Sequence, residues 1–515
     1  MGRKNGHNPR RSKTTLGRAL VNQKKAQTLK EKHTDRHTTD IVEDDGPLRS
    51  IIDRGEVGDL MAHAAEAQRT FISKRTEMAL IIKQEDENEN VGVVTEKQKA
   101  LLNDTKHLLR IPRRPLWSKE MSKEEIDSRE RSAFLEWRRS LSTLEAVREL
   151  QMTPFEKNIG MWRQLWRVVE FSQVVVQIVD ARNPVLYRCN DLERYAKEIS
   201  FRQGVAPKRS VLLLNKADLL PLQVRQMWAN FYAKTKTPFV FFSALREETN
   251  MRLLAAAELK KQQSLNQDDI MERVGLGADG NKIEGFEVNL HRDDEHLPIP
   301  TSLEDMYSPR ILSGTELVNL LTKIGMDVKV QSDKDAIKNG QKVRPELTIG
   351  MVGYPNVGKS SVINVLTIET GQRVAVGATP GKTKHFQTLT LNEKVTLCDC
   401  PGLVFPQFST TRAELVCAGV LPIDVESDSL SPVLLIAKRI PTKVLNRIYG
   451  LSLPIPEDFA GPGPHFTAGR FFLEQLARNR GFMAKNDVPN IAHMARIVVK
   501  DYFNGKIVWL LVPPM

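Results

Sequence analysis

The chain has 515 residues, with 75 Lys+Arg against 63 Asp+Glu and a formal net charge of +12. That length suggests about three structural units. With 41% apolar and 27% charged residues the chain can bury a sizeable core, which excludes wholesale disorder. The richest apolar run near the end, Val508–Val512, spans a fraction of a bilayer, so no transmembrane helix is expected. Met1-Gly2-Arg3-Lys4 opens no apolar leader, and Gly6 stands where a myristoylation signal needs Ser or Thr. Four cysteines, Cys189, Cys398, Cys400 and Cys417, cannot make a disulfide scaffold. Cys398 and Cys400 are too close for usual zinc spacing, with only His385 near, and are better explained as small apolar residues of a buried strand. The expectation is a soluble protein of a reducing compartment with no membrane partner.

In chain order, residues 1–40 carry eleven Lys/Arg, three Asp/Glu and three histidines. Such a segment buries too little surface to offset its ordering entropy and suits nucleic-acid phosphates, although an import signal or solubilising tail has the same composition. Residues 118–150 have a charged helical pattern. Ile159, Trp162, Trp166 and Val169 then recur on one helix face, which makes both tryptophans core residues rather than stacking platforms. Val174–Val179, Val211–Leu214 and Phe239–Phe242 are short apolar runs separated by helical patterns, and Leu347–Val352, Phe386–Leu391 and Val395–Leu397 repeat the signature. Short strands alternating with helices predict a doubly wound α/β domain. Residues 262–306 hold eleven Asp/Glu against three Lys/Arg, a solvated acidic insertion. After Leu403 the pattern is mostly helical, with Thr467 suited to cap a helix and Gly481 to end it.

Gly353-Tyr-Pro-Asn-Val-Gly358-Lys359-Ser360 matches the P-loop pattern G-x-x-x-x-G-K-[ST] between an apolar strand and a helical segment, Ser361–Leu366. Its backbone N–H groups, those of Asn356, Val357, Gly358 and Ser361 included, would close around phosphates. Lys359 would reach the β- and γ-phosphates, and the Ser360 hydroxyl would bind Mg²⁺. Asn215-Lys216-Ala217-Asp218, closing a strand, selects the base. The Asp218 carboxylate can accept from guanine N1 and N2, a donor pair adenine lacks; Asn215 would tie the loop to the P-loop, and the Lys216 stem would cover the base. Ser243-Ala244 ends the next strand and can offer an N–H to guanine O6. Asp399-Cys400-Pro401-Gly402 supplies D-x-x-G, with Asp399 holding Mg²⁺ through water and the Gly402 N–H meeting the γ-phosphate. Four such elements at strand ends define a site for GTP or GDP with Mg²⁺. Base recognition precedes the P-loop, a circular permutation of the usual order, so the D-x-x-G loop runs directly into residues 405–515.

These motifs, with Asp180-Ala181-Arg182-Asn183-Pro184 as a D-A-R-x-P element, resemble the circularly permuted GTPases of ribosome assembly. Leu16-Gly-Arg-Ala-Leu-Val-Asn-Gln23, Ile111-Pro-Arg-Arg-Pro115, Thr153-Pro-Phe-Glu156 and Trp162-Arg-Gln-Leu-Trp-Arg-Val168 are similar to the branch that matures the large subunit in the cytoplasm. The resemblance implies a GTPase that contacts ribosomal RNA and proteins of the 60S subunit and uses turnover to release an export adaptor or other assembly factor. A nucleolar member of the same family and a GTP-binding RNA scaffold are the competing readings. In similar GTPases the Thr after Pro-Gly-x senses the γ-phosphate and binds Mg²⁺, which selects Thr383, with Thr379 as the alternative. Similar permuted enzymes use a P-loop Asn to help bind K⁺, and Asn356 matches it. Leu403 occupies the place of the usual water-orienting Gln, so activation is expected from outside the chain. Arg113 and Arg114, between prolines, are secondary RNA contacts or a solvated turn.

The expected organisation is a basic disordered arm (1–45), a helical N-terminal extension (46–150) and the first half of the GTPase domain with base recognition (151–250). An acidic insertion or linker (251–340), the second half with P-loop and switches (341–404) and a helical C-terminal region (405–515) complete it.

Overall fold

The computed structural model describes residues 109–118, 120–148, 154–263, 296–303, 305–338, 346–368, 387–407, 412–421, 430–453, 464–484 and 488–513. The basic arm, Thr379, Thr383, His385 and the core of the acidic segment lie outside the described residues. The protein divides into two compact units, Pro115–Leu150 with Met1–Asp45 in the smaller and Gly46–Arg114 with Gln151–Met515 in the larger. The smaller contributes helix α1 (Lys123–Arg148), stapled on its surface by the i,i+4 pairs Glu125–Arg129 and Asp127–Arg131.

The larger unit is built on a seven-stranded sheet in the order β4-β3-β2-β1-β5-β7-β6. Its elements are α2 (Ile159–Phe171), β1 (Val174–Asp180), the short α3 (Pro184–Tyr187), α4 (Asn190–Gln203), β2 (Arg209–Asn215), α5 (Leu222–Lys234), β3 (Phe239–Phe242) and α6 (Ala244–Gln263). β4 (Ile311–Leu312), α7 (Gly314–Lys338), β5 (Leu347–Gly353), α8 (Lys359–Leu366), β6 (Gln387–Asn392) and β7 (Val395–Asp399) follow. All pairings are parallel except β6 with β7. β1 and β5 are buried along their whole length, which is why their sequences are apolar runs rather than alternating ones.

Helices cover both faces. A Cβ on Gly350 would strike Ser172 and Val168 at the end of α2, whereas Gly325 of α7 meets Leu347 and Val174. Residues 347 and 350 point to opposite faces of a strand, so α2 and α7 lie on opposite sides of the sheet. Trp162 and Trp166 are fully buried core residues, and their indole N–H groups donate to the carbonyls of Glu156 and Pro112.

The segment 251–340 is not simply an acidic insertion. It contains β4 and the 25-residue helix α7, whose Leu317, Leu320, Leu321, Ile324 and Val328 are buried beneath β5, β1 and β2. Those residues carry the spacing of an amphipathic helix, and the neighbouring acidic count obscured it.

The C-terminal region is helical, as expected: α9 (Arg412–Cys417), α10 (Leu430–Arg439), α11 (Thr442–Tyr449), α12 (Pro464–Arg480) and α13 (Ile491–Phe503). α12 begins at Pro464, so Thr467 lies inside it and not at its cap, while Gly481 ends it with a φ of 70°. No described helix is long and apolar enough to cross a membrane.

Candidate guanine nucleotide site

Because β1, β2, β3, β5 and β7 run parallel, their C-terminal ends share one edge of the sheet. The chain winds from β1 through β2 and β3 one way and from β5 to β7 the other, leaving a crevice at the β1/β5 boundary. The guanine box ends β2, Ser243-Ala244 follows β3, the P-loop follows β5 and D-x-x-G follows β7. The permuted order therefore assembles all four motifs in one place.

The guanine loop is held from several sides. Asn215 donates its amide to the Val357 carbonyl at 2.9 Å and accepts from the Ala244 N–H at 3.2 Å, joining the base loop to the P-loop. The Ala244 N–H was expected to stand open for guanine O6; here it holds Asn215, so O6 would share that donor. Ser243 Oγ donates to Asp218 Oδ1 at 2.6 Å and orients the carboxylate that would read guanine. Lys216 adopts a left-handed φ of 62°, and its ammonium reaches the Asn356 carbonyl at 3.1 Å and Asp180 at 2.9 Å. Burial lowers the Lys216 pKa, and Asp180 opposes the shift.

The P-loop needs its glycines for different reasons. A Cβ on Gly353 would stand 2.5 Å from the Ile178 carbonyl, and Gly358, at φ 89°, leaves room for the Asn215 amide. Lys359 begins α8 and is buried beneath the loop; Ser360 and Ser361 follow in the first turn. Asp399 is fully buried, and among the described residues neither carboxylate oxygen has a hydrogen-bond partner. Burial raises its pKa, with Lys359 pulling the other way. An orphaned buried carboxylate beside a P-loop lysine and serine fits Mg²⁺ with its water shell, Ser360 and Asp399 being the residues to hold it. When bound, the ion would neutralise charge on the phosphate oxygens. Gly402 backs onto Pro355 of the P-loop, and the Leu403 N–H donates to the Gly353 carbonyl at 3.2 Å. The Leu403 side chain is buried and offers nothing to a water. Cys398 and Cys400 are buried at the end of β7.

Sequence motifs alone did not reveal how the site joins the C-terminal region. Asp180, fully buried at the end of β1, binds Arg182 through both oxygens at 3.0 and 2.7 Å as well as Lys216. Burial would raise its pKa, but Arg182 and Lys216 hold it well below the carboxylate range. Arg182 donates on to the Tyr502 carbonyl at 3.0 Å, and its own carbonyl accepts from the Leu511 N–H at 2.9 Å. Asn356 donates to the Gly419 carbonyl at 2.8 Å, and Phe503 packs against Gly419 with its ring 5.0 Å from the Lys216 ammonium. The D-A-R-x-P likeness flagged Asp180 and Arg182; nothing flagged Gly419 or Phe503. Arg113 and Arg114 do not form a solvated turn, since both side chains are largely buried in ion pairs. Arg113 pairs with Asp191 and Glu198 at 2.6 and 2.7 Å, and Arg114 with Glu170 at 2.6 Å.

Fold and site together define a circularly permuted P-loop GTPase, which hydrolyses GTP. A family model described as 50S ribosome-binding GTPase matches residues 348–434. Large subunit GTPase 1 of Saccharomyces cerevisiae is 39% identical over all of this chain and 76% of its own length. The Bos taurus homolog is 36% identical over 97% of this chain and 82% of its own. The chain belongs to the large subunit GTPase 1 family. Among solved structures, GDP-bound YlqF aligns over 68% of this chain and 99% of its own, at 18% identity and a TM-score of 0.34.

Proposed function

We propose that this GTPase docks on the large ribosomal subunit late in cytoplasmic maturation and uses GTP turnover to release an export adaptor or another assembly factor. Relatives named for the large subunit, and a matching family described as ribosome-binding, support the partner. The basic arm supplies cations for ribosomal RNA. One observation carries the release step: the P-loop and the guanine loop are both bonded to the C-terminal region, through Asn356 to Gly419 and through Asp180 and Arg182 to Tyr502. A nucleotide-dependent adjustment at either loop moves helices that can hold or discharge a neighbour.

In the reaction, water attacks the γ-phosphorus and the bond to the β–γ bridging oxygen breaks, leaving GDP and phosphate. Lys359 stabilises the charge that gathers on the phosphate oxygens, and the Gly402 N–H meets the γ-phosphate. Thr383 is the proposed switch threonine. Leu403 cannot orient the water, so the particle completes the site; Asn356 would help to hold a K⁺ that would add positive charge near the phosphates. The test is GTP turnover in K⁺ and in Na⁺, with and without purified large subunits. Strong stimulation by the particle that disappears in Lys359→Ala is expected. Tight GTP binding with no turnover on the particle would overturn the release reading, and equal rates in Na⁺ and K⁺ would remove the potassium ion from it.

A further inference from the structure

The end of the sheet opposite the nucleotide carries an accumulation of positive charge that the GTPase chemistry does not use. The strands entering there are β2 and β3, parallel neighbours in which Leu212 pairs with Phe239. The turns leading into them therefore lie side by side, about 5 Å apart at the strand spacing. The first turn, from the end of α4 into β2, exposes Phe201, Arg202 and Arg209, and the second exposes Lys234 and Lys236. Phe201 is 89% exposed, the most exposed large apolar residue among those described. Lys197 stands one helical turn before it on the same face of α4. Lys236 takes a left-handed φ of 51°, a conformation that glycine adopts more cheaply, and its N–H closes the turn onto the Ala233 carbonyl at 3.1 Å.

The carboxylates that would neutralise this face are already engaged. Glu198, on the exposed side of α4, is bound by Arg113 at 2.7 Å, and Arg113 also binds Asp191. Glu170 is bound by Arg114, and its backbone carbonyl accepts from the buried Lys208. The Arg113-Arg114 pair thus takes up the acids and leaves the outer cations without a carboxylate partner among the described residues, Arg202 donating only to the Arg114 carbonyl at 3.1 Å. Between Arg194 and Arg209 the chain has five Lys/Arg and one Glu, and no acid lies between Lys234 and Lys236.

Protein interfaces bury apolar cores from which lysine is depleted, whereas phosphate is contacted by Lys and Arg and an unpaired base stacks on an isolated exposed aromatic ring. A single exposed ring among cations matches the second pattern. We infer that this edge is an RNA-docking surface: Arg202, Arg209, Lys234 and Lys236 neutralise backbone phosphates, and Phe201 stacks an unpaired base. The inference rests on the assignment of the chain to the large subunit. The strands are about 20 Å long, so RNA held here leaves the nucleotide edge open.

The full chain, loaded with a non-hydrolysable GTP analogue, is titrated against purified large subunits across a KCl series. R202Q/R209Q/K234Q/K236Q flattens the slope of log affinity against log salt by about 3, because the four cations no longer displace counterions from the phosphates they meet. Phe201→Ala weakens binding about tenfold and leaves the slope unchanged. Both variants keep the wild-type affinity for the GTP analogue, which shows that they are folded. Wild-type affinity and slope in both variants would overturn the assignment. A loss on particles with unchanged binding to protein-free large-subunit RNA would also overturn it, by showing that a ribosomal protein occupies the surface. No turnover matters in this titration, so failed particle stimulation with intact salt-dependent binding would sink the release reading and leave this surface standing.

Discussion

The two halves of the nucleotide site are completed to different degrees. On the guanine side almost every polar group has a protein partner: Asn215, Lys216, Asp218 and Asp180 are each fixed by named bonds. On the phosphate side Asp399 is fully buried with both oxygens unpartnered among the described residues. The base-reading half is preorganised, so binding guanine there costs little rearrangement. The phosphate half holds a buried carboxylate that Lys359 compensates only in part and a bound cation would relieve, which makes it the half whose energy changes between nucleotide states. The C-terminal region touches both, through Asp180 and Arg182 on one side and Asn356 on the other.

Gly358→Ala breaks the contrast most severely, because it forces the two halves apart. The new Cβ meets the Asn215 amide, and the backbone there has a φ of 89°. Left-handed strain of about 1–2 kcal/mol, added to the two lost bonds of Asn215 at about 1 kcal/mol each, predicts at least a hundredfold loss of GTP affinity. Calorimetric titration of GTP checks it, and wild-type affinity would mean that Asn215 does not couple the loops.

Asp180→Asn attacks the preorganised half. It leaves Lys216 and Arg182 with an uncompensated buried charge, a change that typically costs about 3–5 kcal/mol. GTP affinity should fall about tenfold as the lysine loses its anchor. The sign with pH follows from the direction of the shift. A carboxyl held below the ordinary range stabilises the fold above the unfolded pKa of about 3.9, and that stability is lost as pH falls through the folded value. Urea unfolding at pH 7 and at pH 3, below the unfolded pKa, should therefore show a smaller gap between the variant and the wild type at the lower pH. A constant gap would assign the loss to packing.

Asp399→Asn sharpens the comparison in the opposite direction. Burial raises this carboxyl, so its charged form costs stability at neutral pH, while Lys359 returns part of that cost. Replacing it with a neutral amide should stabilise the protein without nucleotide or Mg²⁺ by about 1–2 kcal/mol, or roughly 2–6 °C in Tm. Mg²⁺-dependent strengthening of GTP binding should be lost. A lower Tm would show that the carboxylate is satisfied in solution and that the asymmetry between the halves is absent.

How much of this was legible in the sequence follows the range of each interaction. The strands were legible because burial on both faces makes them apolar runs, and Phe239–Phe242 stands where it was expected. The P-loop and guanine box were legible because local spacing fixes their chemistry. Helix α7 was obscured because the acid count of its neighbours outweighed its own apolar spacing. Arg113 was misjudged because its partners, Asp191 and Glu198, lie 78 and 85 residues away. The bond from Arg182 to Tyr502 spans 320 residues, and no local pattern announces such a contact.

The smallest expected effect lies away from the site, under the basic edge, where Lys208 is buried. Its ammonium donates to the Glu170 and Ser172 carbonyls at 3.1 and 2.7 Å. Burial lowers its pKa to about 8, with Glu170 opposing. The unfolded chain keeps its proton until about pH 10.4, so between these values the unfolded state binds more protons and stability rises with pH. The gain is about 1 kcal/mol between pH 7 and pH 9. Lys208→Met has no such proton, so whatever its stability at pH 7, the wild type should gain on it by that amount at pH 9 in urea unfolding. A gap that does not change with pH would mean that water reaches the amine.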